Sequence, residues 1–364
     1  MRTYIECSSL LTFKFSLLSL RKLIHLSTVS YLFILAFPFT TSAQFSRKRV
    51  QTSENFTVEK IAPGVWAAIN NKNYGKAISN AGIIDMGNKT IVFDAFMTPE
   101  AAWELKNIAK QLTGKPVTLV INSHFHTDHV RGNQAFVPTA VIMSSRITRE
   151  MIRDNEGEEK KWERAHAPRL LQALKTRMSN SGTTDVELPY WIGYYEGMVE
   201  SSQDEFVALP DETFEDSLWI TGTKKEIKLE ERKNGHTVSD VVLLIPKQGI
   251  AFMGGLLNNK YHPWISDGDP VAWQESLRRY YEDTLYTIYV PAYGKVSQKE
   301  DLRTLYEYLD DMQKLSNNAK TDSAQETLMN QAVPAAYNDW MCSRFYQQSL
   351  EYLVQQKKKS KIKN

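Results

Sequence analysis

The segment INSHFHTDHVRGNQAF, residues 121–136, places three of the chain's seven histidines within six positions and sets Asp128 directly before the third. Alternate side chains of an extended segment share a side, so His124 and His126 can face one metal ion. Asp128 and His129 lie a turn later and face a second point a few ångströms away. Imidazoles with one carboxylate suit zinc, and also iron or manganese if the site opens to more ligands. Burying several histidines with neither metal nor polar partners would be costly, which argues against a chance polar loop. A third ligand has to come from far along the chain. NGHTVSD (234–240) offers His236, just before a predicted strand. Alone it is a weak signal, because a histidine after glycine is usually a turn or core residue.

Strands and helices must carry these residues. Short apolar runs at 64–70, 81–87 and 91–97 predict strands, the last two joined by a GNK turn. Thr98 and Pro99 mark a helix start, and Gly114 can supply its left-handed cap. VTLVINS (117–123) is a continuous apolar run of the kind buried on both faces, with the histidine cluster in the loop at its C-terminal end, where ligand sites of layered α/β folds collect. A further strand at 140–145 precedes a helical insertion of about 147–208. Strands return at 217–222, 225–231, 240–246, 250–255 and 286–294. In 298–316, Leu302, Leu305, Leu309, Met312 and Leu315 form one apolar stripe, read as core.

With 364 residues, 42% of them hydrophobic and 24% charged, the chain is ordinary globular material with room for a substantial core. Its 44 basic and 42 acidic side chains nearly cancel, leaving +2, which points to neither nucleic acid nor an anionic membrane as the main partner. Arg21 and Lys22 precede LSTVSYLFILAFPFTTSAQ, an apolar stretch ending in small residues. Residues 1–43 are therefore read as a signal peptide, with Gln44 the mature start and an exported, periplasmic or secreted product. The run is short for a span and contains Pro38, so no membrane span is expected in the mature chain. Cys7 falls in the removed segment, and Cys342 alone cannot form an internal disulfide. Residues 44–320 are expected to form the main domain. Residues 321–364 are read as C-terminal helices packed on or extending from it, ending in KKKSKIKN, a basic run expected to be a solvated mobile tail.

SHFHTDHVRGN resembles the HxHxDH signature of the metallo-β-lactamase superfamily, and GHTVSD resembles its downstream histidine motif. IIDMGNKTIVFDAF looks like that family's paired strands ending in a structural aspartate, here Asp94. The resemblance runs from about residue 58 to 296. It implies an α/β fold, a four-layered αββα sandwich. It also implies that His124, His126 and His236 hold one zinc, while Asp128 and His129 begin a second metal site.

Two positions depart from the family's pattern. Gly255 stands where many members carry aspartate or cysteine, and Tyr293, in VPAYGKV, stands where a histidine usually ends the site. Two protein ligands seldom hold zinc firmly, so one tight zinc and a weak or empty second position are expected. Tyr293 either completes the second site as a phenolate or hydrogen-bonds a bound water or substrate. His262 either reaches the site or packs in a turn. Asp267 and Asp269 are read as solvated turn residues, His166 as a surface residue, and Lys260 as a poor match to the lactamase lysine. The function implied is hydrolysis of a small molecule: activated water attacks an amide, lactam, ester or thioester carbonyl, possibly of a β-lactam, with Asp128 orienting the water or taking its proton. The competing reading is a non-catalytic metal-binding or sensing module. Di-iron redox chemistry is disfavoured, because the bridging carboxylate is missing.

Overall fold

The computed structural model describes residues 48–180, 185–204 and 206–363, with side chains as far as residue 358. The segment read as a signal peptide, with Cys7 and Gln44, lies outside the described residues. Strands β1 (Lys48–Thr52), β2 (Phe56–Ala62), β3 (Val65–Asn70), β4 (Ala81–Asp85) and β5 (Thr90–Phe93) form an antiparallel meander. Helix α1 (Pro99–Thr113) then crosses over to β6 (Val117–Ile121), which lies parallel to β5. The expected helix signals operate: Thr98 accepts from the Ala101 amide, and Gly114 closes the helix at φ 72°.

The motif loop follows β6 and contains the one-turn helix α2 (Thr127–Val130). Strands β7 (Val141–Ser145) and β8 (Glu212–Phe214) complete an eight-stranded sheet in chain order. Between them run α3 (Arg146–Asn180) and α4 (Leu188–Ser201). The second sheet has five strands: β9 (Ser217–Thr221), β10 (Glu226–Lys233), β11 (Ser239–Ile245), β12 (Ile250–Asn258) and β13 (Ile288–Tyr293). Helix α5 (Pro270–Glu282) links β12 to the parallel β13.

The inner faces of the two sheets share one apolar layer that includes Ile84, Phe93, Ile121, Leu243 and Phe252. The outer face of the first sheet packs on Leu105 and Ile108 of α1. The second sheet's outer face packs on α5 and on α6 (Lys299–Asn318). Helix on sheet on sheet on helix is the four-layered αββα arrangement.

The C-terminal segment contributes two helices. Helices α7 (Asp322–Met329) and α8 (Arg344–Lys363) follow α6, and α8 carries the basic run as helix to Lys363. Leu350, Leu353 and Val354 bury in the same cluster as Leu305 and Leu309, so α8 is anchored by an apolar face. Lys358 pairs with Asp322 at 3.0 Å. Among the described residues no helix is long and apolar enough to cross a membrane.

Candidate metal centre

Asp94, at φ 62° after β5, organises the loop from below. Its carboxylate accepts the Ser123 amide (2.7 Å), the Ser123 hydroxyl (2.8 Å) and His129 Nδ1 (2.8 Å). Because Ser123 donates to Asp94, its oxygen is left to accept from His124 Nδ1 at 2.8 Å. His124 therefore carries its proton on Nδ1 and presents a lone pair at Nε2. His126 is fixed in the opposite sense. Its Nε2 lies 3.0 Å from Asp267 Oδ2, which holds the proton there and leaves Nδ1 as the lone pair.

These two lone pairs face each other at 3.2 Å. Two acceptors at that distance repel unless a cation or a shared proton lies against them. His236 completes the group: one donor atom from each of His124, His126 and His236 lies within 4.8 Å of the others. Burial, with the neighbouring imidazoles, holds the pKa of His124 well below the usual histidine range; burial also lowers that of His236. Both rings are thus neutral, the form that binds metals.

Asp128 and His129 sit on α2 beside this triad. Asp128 Oδ2 accepts the Tyr293 hydroxyl at 2.9 Å and lies 3.7 Å from His129 Nε2. That His129 nitrogen is buried without a hydrogen-bond partner. Burial, then the Asp128 carboxylate, pushes the Tyr293 phenol well above its usual pKa, so it stays a donor. Tyr293 is therefore at the site as a hydrogen-bonding phenol in contact with Asp128.

Gly255 on β12 backs the ring of His236. A Cβ built there would lie 2.2 Å from His236 Nδ1, so the imidazole fills the space in which a side chain at 255 would begin.

Asp269 is exposed at the head of α5, as the turn reading has it, but Asp267 is not merely a solvated turn residue. Asp267 Oδ2 accepts from both His126 Nε2 and Trp264 Nε1 (2.8 Å), and so fixes one histidine of the triad. Asp269 caps α5 by accepting the Val271 and Ala272 amides, a role the Asp-Pro pair at 269–270 signals. His262 is buried, its Nδ1 3.1 Å from the Tyr308 hydroxyl, and burial pushes its pKa down to about 4. It lines the cavity but stands outside the triad. Lys260 pairs with Asp339 and does not line the cavity, while His166 is exposed and stacks on Trp162.

The triad opens into a cavity of about 540 Å³. Its walls include residues that carried no motif: Glu159 and Glu163 of α3, Tyr194 of α4, and Cys342, Arg344 and Phe345 from the C-terminal segment. Arg131, directly after the histidine motif, donates to Glu156 and Glu163 at 2.6 Å and to Ser201 at 3.0 Å. That buried network ties both insertion helices to the motif loop. Burial pushes the Glu163 carboxyl up to about 7 against the pull of Arg131. The nearest sequence signal for these walls is the aromatic run LPYWIGYYEG in α4.

A family model described as the metallo-beta-lactamase superfamily matches residues 74–292. Among solved structures, the chain resembles a metallo-beta-lactamase from Erythrobacter litoralis, with 14% identity and a TM-score of 0.52 over 72% of this chain and 100% of that one. It also resembles the metallo-beta-lactamase FIM-1 from Pseudomonas aeruginosa in its mono-zinc form, at 16% identity and a TM-score of 0.50, over 71% of this chain and 96% of that one. At these identities the likeness is one of fold.

Proposed function

The chain belongs to the metallo-β-lactamase superfamily, and from that premise we propose that it is a zinc-dependent hydrolase acting on a small molecule with an amide, lactam, ester or thioester carbonyl. The observation that carries this reading is the facing pair of lone pairs on His124 and His126, closed by His236. The donor set suits zinc, since three neutral imidazoles with an open fourth position are a known catalytic pattern for that ion. FIM-1, a fold relative, is described in a mono-zinc form. When bound, zinc supplies a Lewis acid that acidifies water and polarises a carbonyl.

The chain's own residues do the rest. Ser123 and Asp267 hold the rings of His124 and His126 so that their lone pairs point to one place. Tyr293 holds Asp128 Oδ2, while Oδ1 has no protein donor among the described residues and can orient water or accept its proton. The Tyr293 contact occupies Asp128, and a side chain at 255 would displace His236, so a second metal keeps only His129 and a shared carboxylate. One tight zinc with a weak or empty second position follows. The competing reading, a metal-binding module without turnover, draws on the same two departures.

His236→Ala decides the metal assignment. Purified wild type should retain close to one zinc per chain, and the variant should lose it together with the melting-temperature gain that zinc gives. Unchanged zinc content in the variant would refute the triad. A panel of lactam, lactone and thioester substrates, none hydrolysed by zinc-loaded wild type, would leave the binding module standing instead.

A further inference from the structure

Arg344 begins α8, beyond the region matched by the family model, and lines the cavity. Its guanidinium carbon lies 3.3 Å from the centroid of the Trp191 ring, so the fork is stacked on an aromatic face. One terminal nitrogen reaches the Tyr195 hydroxyl at 3.3 Å. Its Nε is buried with no acceptor. Among the described residues no carboxylate pairs with it, although four line the same cavity: Asp128, Glu159, Glu163 and Asp267. Asp128 is engaged by Tyr293, Asp267 by His126 and Trp264, and Glu163 by Arg131. Among the described lining residues Arg344 is the only lysine or arginine.

A partly desolvated guanidinium with no counter-ion is costly, and an anion that arrives with the ligand offsets that cost. We propose that Arg344 is a specificity-determining residue that receives the carboxylate of a flat, apolar substrate, whose body lies against the aromatic wall of Trp191, Tyr194 and Phe345. The planar fork matches a carboxylate, and aromatic faces suit a flat body. A carboxylate entering this cavity meets other carboxyl groups on its walls and, apart from the metal position, one guanidinium that can receive it. A cavity of about 540 Å³ is of small-molecule size. The hydrolase reading enters only in calling the bound molecule a substrate.

The test is binding, read without turnover. Zinc-loaded protein is titrated with benzoate and, in parallel, with benzamide, its uncharged counterpart, by tryptophan fluorescence. Wild type should bind benzoate about tenfold more tightly than benzamide, the worth of one charge-assisted pair. Arg344→Gln should lose that tenfold, keeping only such preference as contact with zinc gives to every variant. Arg344→Lys should keep part of the preference, because charge survives without the fork. Any contact of benzoate with zinc is common to all three proteins and cancels between them; zinc content and melting temperature are measured alongside. Should Arg344→Gln not fold, Arg344→Met, which keeps an apolar stem over Trp191, takes its place with the same expected result. The assignment is overturned by equal wild-type affinities, by no benzoate binding at millimolar concentration, or by a preference undiminished in the neutral variant. Losing it leaves the hydrolase reading intact, and a preference without hydrolysis removes that reading alone.

Discussion

His126 has one nitrogen turned to His124 and the other to Asp267, and that division of labour sets which lone pair is offered to a metal. Removing the carboxylate frees the ring to rotate and to exchange tautomers. Asp267→Ala should therefore weaken zinc binding by about 10- to 100-fold in chelator competition. The metal-free protein should melt close to wild type, since the Asp267 side chain is 37% exposed and caps no helix. Unchanged zinc affinity would sink this role. The histidines were legible in the sequence because their spacing is local and their chemistry is distinctive. Asp267 was not: it lies 141 positions from His126, in an SDGDP stretch whose composition spells a turn. Asp269, two residues on, is the one that serves the turn, by capping α5.

At the scale of elements, β12 meets the His236 loop so closely that residue 255 has no room for a side chain. Sequence comparison with the family favours the idea that an aspartate at 255 would restore a second metal site. The geometry predicts the opposite. Gly255→Asp places a Cβ 2.2 Å from His236 Nδ1, so the ring must leave and the first site goes with it. Zinc per chain, measured by atomic emission, should fall well below that of wild type; a rise toward two would show that the loop yields instead. Strands and caps announced by apolar runs and by Thr98, Pro99 and Gly114 appear where the pattern put them. Strand β2 was missed, because Phe56, Val58 and Ile61 bury on a half-polar strand whose alternation is broken by the bulge at its end. The insertion's helical character is legible in the sequence, yet nothing in its spacing shows that Arg131 binds α3 and α4 to the motif loop through Glu156, Glu163 and Ser201.

Across the described molecule, the histidine loop and the C-terminal helix meet at one cavity, although the family's pattern covers only the former. Burial shows how α8 is held to the fold. Leu350 is fully buried in the cluster that also holds Leu305, Leu309 and Trp273, while Lys357 and Lys358 of the same helix pair with Ser316 and Asp322. We expect α8 to unfold with the sandwich as one unit, so that damage to its apolar face is felt by the whole fold. Leu350→Ala removes a buried branched side chain and should cost about 3 kcal/mol, the usual range for such a truncation being about 2–5 kcal/mol. It should do so in a single transition seen equally by circular dichroism and by tryptophan fluorescence. Zinc content below the melting range should stay at the wild-type level, because Leu350 touches none of the three histidines. If the C-terminal helix were an independent appendage, the variant would instead show an early partial transition, with the main melting temperature unmoved.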